Sequence, residues 1–227
     1  MPSNYLLTKS KYIRGLQCEK ALFYDVYYPR WAHYDKETLE KFRYGRDYEG
    51  EYKAQFPQGV AIDKIEGKNI SRYPQRTAQL LQEEGDVVFF EAGFLFDEVM
   101  VLADVVIKHA DGTVEVHEVK SGSHLSDTYV CDAAVQHFVI RRTLADIGGL
   151  YAKTCNRLKI RRFCVVHNDN EGENHHFIVA DVLNECIEMQ PSIEKNLAHF
   201  KQMLRNKVEP EIAMGHQCDN PYPCPYK

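Results

Sequence analysis

The sequence lacks any apolar run approaching the roughly 20 residues that span a bilayer, which argues against a transmembrane helix. Its start, MPSNYLLTKSKYIRG, has neither a continuous apolar stretch nor a small-residue cleavage site, so no secretory signal is read there and a cytoplasmic location is expected. Internal repeats and low-complexity linkers are absent as well, and with nothing to mark a second domain a single domain over residues 1–227 is expected. Nor is there an excess of positive charge. The net value is -5, so phosphate binding would rest on a local basic face rather than on the whole molecule. What is present is an ordinary globular balance, 44% hydrophobic and 27% charged over 227 residues. Seven cysteines, an odd number without an export signal, read as thiols or metal ligands rather than as a disulfide framework.

Hydrophobic periodicity switches between helix and strand along the chain. A short helix is predicted from Thr8 or Ser10, followed by an irregular aromatic stretch through VYYPRWAHYD. In KETLEKFRYGRDYEGEYKAQF, Leu39, Phe42, Tyr52 and Phe56 recur at roughly helical spacing and Pro57 closes the run. YPQRTAQLLQEEG reads as a further helix with Pro74 in its first turn. DVVFFEAGFLF, EVMVLADVVIKH and TVEVHEVKS are rich in β-branched and aromatic residues and separated by turn signals, as strands are. Helix returns from Ser126 to about Ile147. LKIRRFCVVHN and NHHFIVADV read as two more strands, and NECIEMQPSIEKNLAHFKQMLRNK as one or two closing helices.

Within TVEVHEVKS, Glu118 and Lys120 are two apart and so share one face of a strand otherwise built from valines. The preceding turn, HADGT, closes either as a two-residue Asp-Gly hairpin or as a three-residue loop with Gly112 left-handed. The two differ by one residue in register, and one residue exchanges faces. Only the three-residue loop sets Asp104 across from Glu118 and gathers Asp104, Glu118 and Lys120 on one surface. Asp104 lies among Met100, Leu102 and Val106, where an unpartnered carboxylate is costly. Two carboxylates and a lysine on apolar strands suit a hard cation such as Mg²⁺ or Mn²⁺, which takes oxygen ligands and leaves room for water and a phosphate. The ordinary alternative is a solvated face or a simple ion pair.

LADVVI, then EVKSG, then a helix carrying DAAVQHFVI, resembles the PD-(D/E)xK nuclease superfamily, and within it the RecB-like exonucleases related to CRISPR-adaptation nucleases. With LTKSKYIRGLQCEKALF at the start, FEAGF before the core and GHQCDNPYPCPY at the end, the likeness extends to the amino-terminal RecB-like domain of a bacterial family. It implies an α/β domain of restriction-endonuclease-like type, with a mixed central sheet flanked by helices. It also implies that Asp104 and Glu118 bind metal together with the carbonyl of Val119, that Lys120 is the catalytic lysine, and that Gln136 lies near the substrate backbone. Glu91 matches an acid of the first strand. Two positions depart from the family pattern: Glu49 stands four residues after Gly45 where a histidine is usual, and Ile140 stands where a tyrosine is usual. Glutamate still suits a hard metal, so Glu49 is kept as a ligand.

Relatives of this type join their ends through a four-cysteine [4Fe-4S] cluster. The resemblance therefore implies that Cys18 meets Cys218 and Cys224, with the fourth thiolate beyond Lys227 in a longer protein that carries further domains. His216 is the alternative fourth ligand, in a zinc site. Cys131, Cys155, Cys164 and Cys186 fall in predicted elements and read as core residues. The densest basic stretch, with Arg141, Arg142, Lys153, Arg157, Lys159, Arg161 and Arg162, is the candidate contact for phosphates, though runs of charge are also simply solvated faces. The expected activity is Mg²⁺- or Mn²⁺-dependent DNA cleavage, exonucleolytic on single strands or duplex ends, in repair, defence or mobile-element processing. The competing class is an inactive nuclease fold that holds nucleic acid or a partner domain. Hydrolysis of RNA is a third reading, and no membrane partner is expected.

Overall fold

The computed structural model describes residues 6–146, 149–151, 158–169 and 177–227. They form an α/β arrangement around an open, mixed seven-stranded sheet. Its strands are β1 (Leu7–Thr8), β2 (Val60–Ala61), β3 (Val87–Phe96), β4 (Val99–Lys108), β5 (Thr113–Val119), β6 (Lys159–Asn168) and β7 (Phe177–Asp181). The spatial order is β2-β3-β4-β5-β6-β7, with β1 also paired to β4. An antiparallel meander runs through β3, β4 and β5, whereas β6 lies parallel to β5. That parallel step needs a crossover. The crossover is made by α6 (Asp127–Ala145), whose first turn Ser126 caps by accepting the Tyr129 N–H.

The other helices are α1 (Lys9–Gln17), α2 (Glu19–Tyr27), α3 (Lys36–Lys53), α4 (Ile62–Glu66), α5 (Tyr73–Leu80), α7 (Leu183–Glu188) and α8 (Gln190–Asn206). One large core cluster joins Val106, Val116 and Phe163 of the sheet to α1, α5, α6 and α8 through residues such as Tyr12, Tyr73, Phe138 and Phe200. A smaller cluster packs Tyr48 and Tyr52 of α3 on Val88, Phe90, Val105 and Val166. With helices on both sides the strands are buried on both sides, so their sequences run almost continuously apolar. Buried carboxylates in such strands therefore need partners.

The β4–β5 turn is the three-residue loop. Gly112 has φ +83°, its N–H donates to the His109 carbonyl at 3.0 Å, and the His109 N–H donates to the Thr113 carbonyl at 2.8 Å. The resulting register pairs Val105 with His117 and Val106 with Val116. Several local readings are refined. The predicted first helix is divided at Cys18 into α1 and α2, and α2 runs into the aromatic stretch before a single 3₁₀ turn at Pro29–Trp31. The two-residue strands β1 and β2 and the short α4 have no readable period, and α6 ends at Ala145. Among the described residues no helix is long and apolar enough to cross a membrane.

Candidate active site

Glu91, Asp104 and Glu118 form one row across three neighbouring strands. The β3–β4 register on either side sets Glu91 opposite Asp104, and one step beyond Val105 and His117 Asp104 meets Glu118. Residues directly opposed in antiparallel strands have Cβ atoms about 4.5–5.5 Å apart, so three carboxylates are forced together. At Glu91 the backbone turns left-handed, with φ +56°, a conformation that costs a glutamate energy and accumulates at functional sites. Glu49 comes in from α3. One ligand oxygen from each of Glu49, Glu91 and Asp104 lies within 4.8 Å of the others. Gly45, one turn before Glu49, passes beside the loop after Lys120: a Cβ built on it would stand 3.7 Å from Ser121 Oγ.

Three lysines weave these acids together. Lys53 of α3 bonds Glu91 at 2.5 Å and also Glu49. Lys9, the first residue of α1, donates to both oxygens of Glu118 at 2.7 and 2.8 Å and lies 3.6 Å from Asp104 Oδ1. Lys120 bonds Glu118 Oε1 at 2.6 Å and is held from its other side by Asp132 of α6. Gln136, one turn after Asp132, donates to Glu118 Oε2 at 2.7 Å. The Val119 N–H donates to Asp104 Oδ2 at 2.8 Å. Six elements thus meet around a row of acids.

The ionisation of the site follows from these contacts. Burial pushes Asp104 up, and the Glu118 charge adds to it, so that its carboxyl lies at about 7 despite Lys9. Glu118 is equally buried, but Lys120 and Lys9 outweigh burial and hold it well below the usual carboxylate range. Burial would lower Lys120, yet the charges of Asp132 and Glu118 keep it well above its ordinary value, so it is an ammonium donor and not a base. Glu49 is raised, chiefly by burial, against the pull of Lys53. Five carboxylates and three ammonium groups in this connected set leave two formal negative charges.

The structure gathers Glu49, Glu91, Asp104, Glu118, Lys120 and Gln136, the residues picked out by motif. It adds Lys9, Lys53 and Asp132, which the sequence reading missed. Asp132 lies four residues before Gln136 and so on the same helix face, and Lys53 lies four after Glu49. Ile140, where the resemblance would put a tyrosine, is a fully buried core residue.

The basic stretch is not gathered here. Arg142 pairs with Glu194 of α8 at 2.9 Å, and Arg161 and Arg162 close on Glu115 at 2.5 and 3.2 Å. Lys159 pairs with Thr113 while Glu118 pairs with Val165, which puts Lys159 about 17 Å along the sheet from the acidic row. Arg141 is exposed on the last turns of α6. Lys153, Cys155 and Arg157 lie outside the described residues.

The two ends of the chain lie together. The Gln17 amide donates to the carbonyls of Gln217 and Tyr222, both at 2.7 Å, and the His33 N–H donates to the Pro225 carbonyl at 2.8 Å. Cys18, Cys218 and Cys224 line one pocket between these segments. Their sulfurs do not converge as closely as the acids do: among the described residues, only Glu49, Glu91 and Asp104 place their ligand atoms within 4.8 Å of one another. Cys131, Cys164 and Cys186 are buried core thiols.

Comparison with known proteins adds no name to this geometry: no protein-family model matches the chain, and no curated protein matches it significantly.

Proposed function

We propose that the chain is a divalent-metal-dependent nuclease of restriction-endonuclease-like fold that hydrolyses phosphodiester bonds in DNA. The observation that carries this reading is the convergence of Glu49, Glu91 and Asp104 beside the buried Glu118–Lys120 pair. The donor set is entirely of hard carboxylate oxygens, which suits Mg²⁺ or Mn²⁺, and the two unbalanced negative charges match one divalent ion. Glu49, Glu91 and Asp104 would hold the ion, with Glu118 and the Val119 carbonyl as further ligands. When bound, such an ion polarises a phosphate and lowers the pKa of a water molecule.

The chain's own residues supply the rest. Lys120, kept charged by Asp132 and Glu118, is placed to offset charge that grows on a phosphate in the transition state. Gln136 is fully buried and fixes the orientation of the Glu118 carboxylate. We read DNA ends or single strands as the substrate. The pocket lined by Cys18, Cys218 and Cys224 we read as the seat of a thiolate-bound metal or cluster that staples the two ends together.

End-labelled single- and double-stranded DNA, incubated with wild type and Lys120→Ala in Mn²⁺ and in Mg²⁺, tests the reading. Metal-dependent cleavage by wild type that Lys120→Ala loses supports it. Folded wild-type protein that binds DNA but never cuts it, in either metal, points instead to the binding-module alternative.

A further inference from the structure

Glu118 is coordinatively complete with residues of the chain. A carboxylate offers about four lone-pair positions. Here Oε1 takes Lys9 and Lys120, and Oε2 takes Lys9 and Gln136. A metal ion cannot gain Glu118 as a ligand unless one of these three lets go.

The geometry singles out which one. Gln136 is fully buried, and Asp132 holds the Lys120 ammonium in its place beside Glu118. Exposure does not separate the two lysines, at 20% for Lys9 and 22% for Lys120, but Lys9 has no anchor on its far side comparable to Asp132, its remaining contact being the looser 3.6 Å approach to Asp104. Burial is outweighed by the charges of Asp104 and Glu118, which keep Lys9 an ammonium, but its place in the helix works against it. It is the first residue of α1, where the partial positive charge of the helix terminus disfavours a cation, and the first turn carries no acid to offset it. Asp104 is shared, being both the second partner of Lys9 and one of the three acids that converge on a common point.

We propose that Lys9 is a built-in competitor of the metal: an intramolecular ammonium that holds the Glu118–Asp104 side of the site together until a divalent ion displaces it toward solvent. This rests on the metal-site reading above and adds the residue that sets how tightly the ion binds. In a site so enclosed, removing one positive charge in contact with two candidate ligands strengthens cation binding, whereas moving it to another long cationic side chain does not.

The test is calorimetric titration of Mn²⁺ into wild type, Lys9→Met, Lys9→Gln and Lys9→Arg, with thermal unfolding of each in EDTA and in excess Mn²⁺. Lys9→Met is expected to bind Mn²⁺ at least tenfold more tightly than wild type. Its melting temperature should fall below wild type in EDTA and regain the difference in Mn²⁺. Lys9→Arg should stay within about threefold of wild type. Should Lys9→Met fail to fold, Lys9→Gln, which keeps a donor to Glu118 but no charge, carries the same expectation. Equal or weaker Mn²⁺ binding by the neutral variants overturns the proposal. Tighter binding by the neutral variants with no DNA cleavage by any of the proteins leaves Lys9's role standing and removes the nuclease reading. No Mn²⁺ binding by any variant removes both.

Discussion

Asp104→Asn should make the protein more stable in the absence of divalent ions, the opposite of what replacing a buried, hydrogen-bonded residue normally does. The carboxyl is moved from 3.8 to about 7 by burial and by the adjacent Glu118 charge. A displacement of that size corresponds to about 4 kcal/mol between its two protonation states. Because the folded-state value is raised, stability is full below pH 4 and is lost as pH rises toward 7. At pH 8 the charged form therefore weighs against the fold. Asparagine removes the charge and still accepts the Val119 N–H, which reaches Asp104 at 2.8 Å. It gives up the attraction to Lys9, 3.6 Å away. The value of about 7 already contains that attraction, so a net gain of up to about 4 kcal/mol is expected, or up to about 8–16 °C in Tm for a chain of this length. Differential scanning calorimetry in EDTA, from pH 4 to 8, should show the advantage of Asp104→Asn growing with pH and absent at the acid end. On the proposed metal-site reading, excess Mn²⁺ should reverse the order, since wild type would gain ligand-linked stability and the variant less. A variant less stable than wild type at pH 8 in EDTA, or a difference that ignores pH, would refute this account of the site's charge.

Three further outcomes are expected. On the proposed nuclease reading, Asp132→Asn, which releases the second anchor of Lys120, should lower DNA cleavage by about 10–100-fold while leaving Mn²⁺ affinity within threefold, as checked by single-turnover kinetics beside a metal titration. His137 is buried against Phe163, and burial with Arg141 nearby pushes it down to about 4, so the unfolded chain takes up its proton first. Stability should thus decline by up to about 3 kcal/mol as pH falls from about 6.5 to 4, and His137→Leu should flatten that slope in urea titrations at a series of pH values. A Cβ on Gly15 would meet Phe200 at 2.7 Å and Leu22 at 2.9 Å, so Gly15→Ala should cost about 1–3 kcal/mol in urea unfolding by forcing α1 off α8.

How much of this was legible in the sequence depends on the distance over which each residue acts. Asp104, Glu118 and Lys120 were readable because a turn of known type converts sequence separation into register, and left-handed Gly112 decides between the two registers. The five longer strands and the longer helices followed from periodicity. The two-residue β1 and β2 are too short to have a period at all. Lys53 and Asp132 were within reach, lying four residues from Glu49 and Gln136, but such spacing usually marks a surface pair of little consequence. Lys9 carried only a faint sign, a cation just after the capping Thr8. Its partner is 109 residues away, and no local pattern encodes that contact. The basic stretch shows the same limit. A run of arginines says nothing of what neutralises it, and Glu115 on the neighbouring strand takes up two of them.

The meeting of the two ends bears on when the site comes into being. Lys9 is fixed by α1, and the last residue of α1, Gln17, is fastened to the carbonyls of Gln217 and Tyr222, about 200 residues later in synthesis. At translation rates of about 5–20 residues per second, that interval is about 10–40 s. During it the meander bearing Asp104 and Glu118 has already emerged, while the helix that neutralises it lacks its clasp. The contact that clasps the end of α1 is therefore among the last the chain can make, about 100 residues after the strand bearing Glu118 has been synthesised.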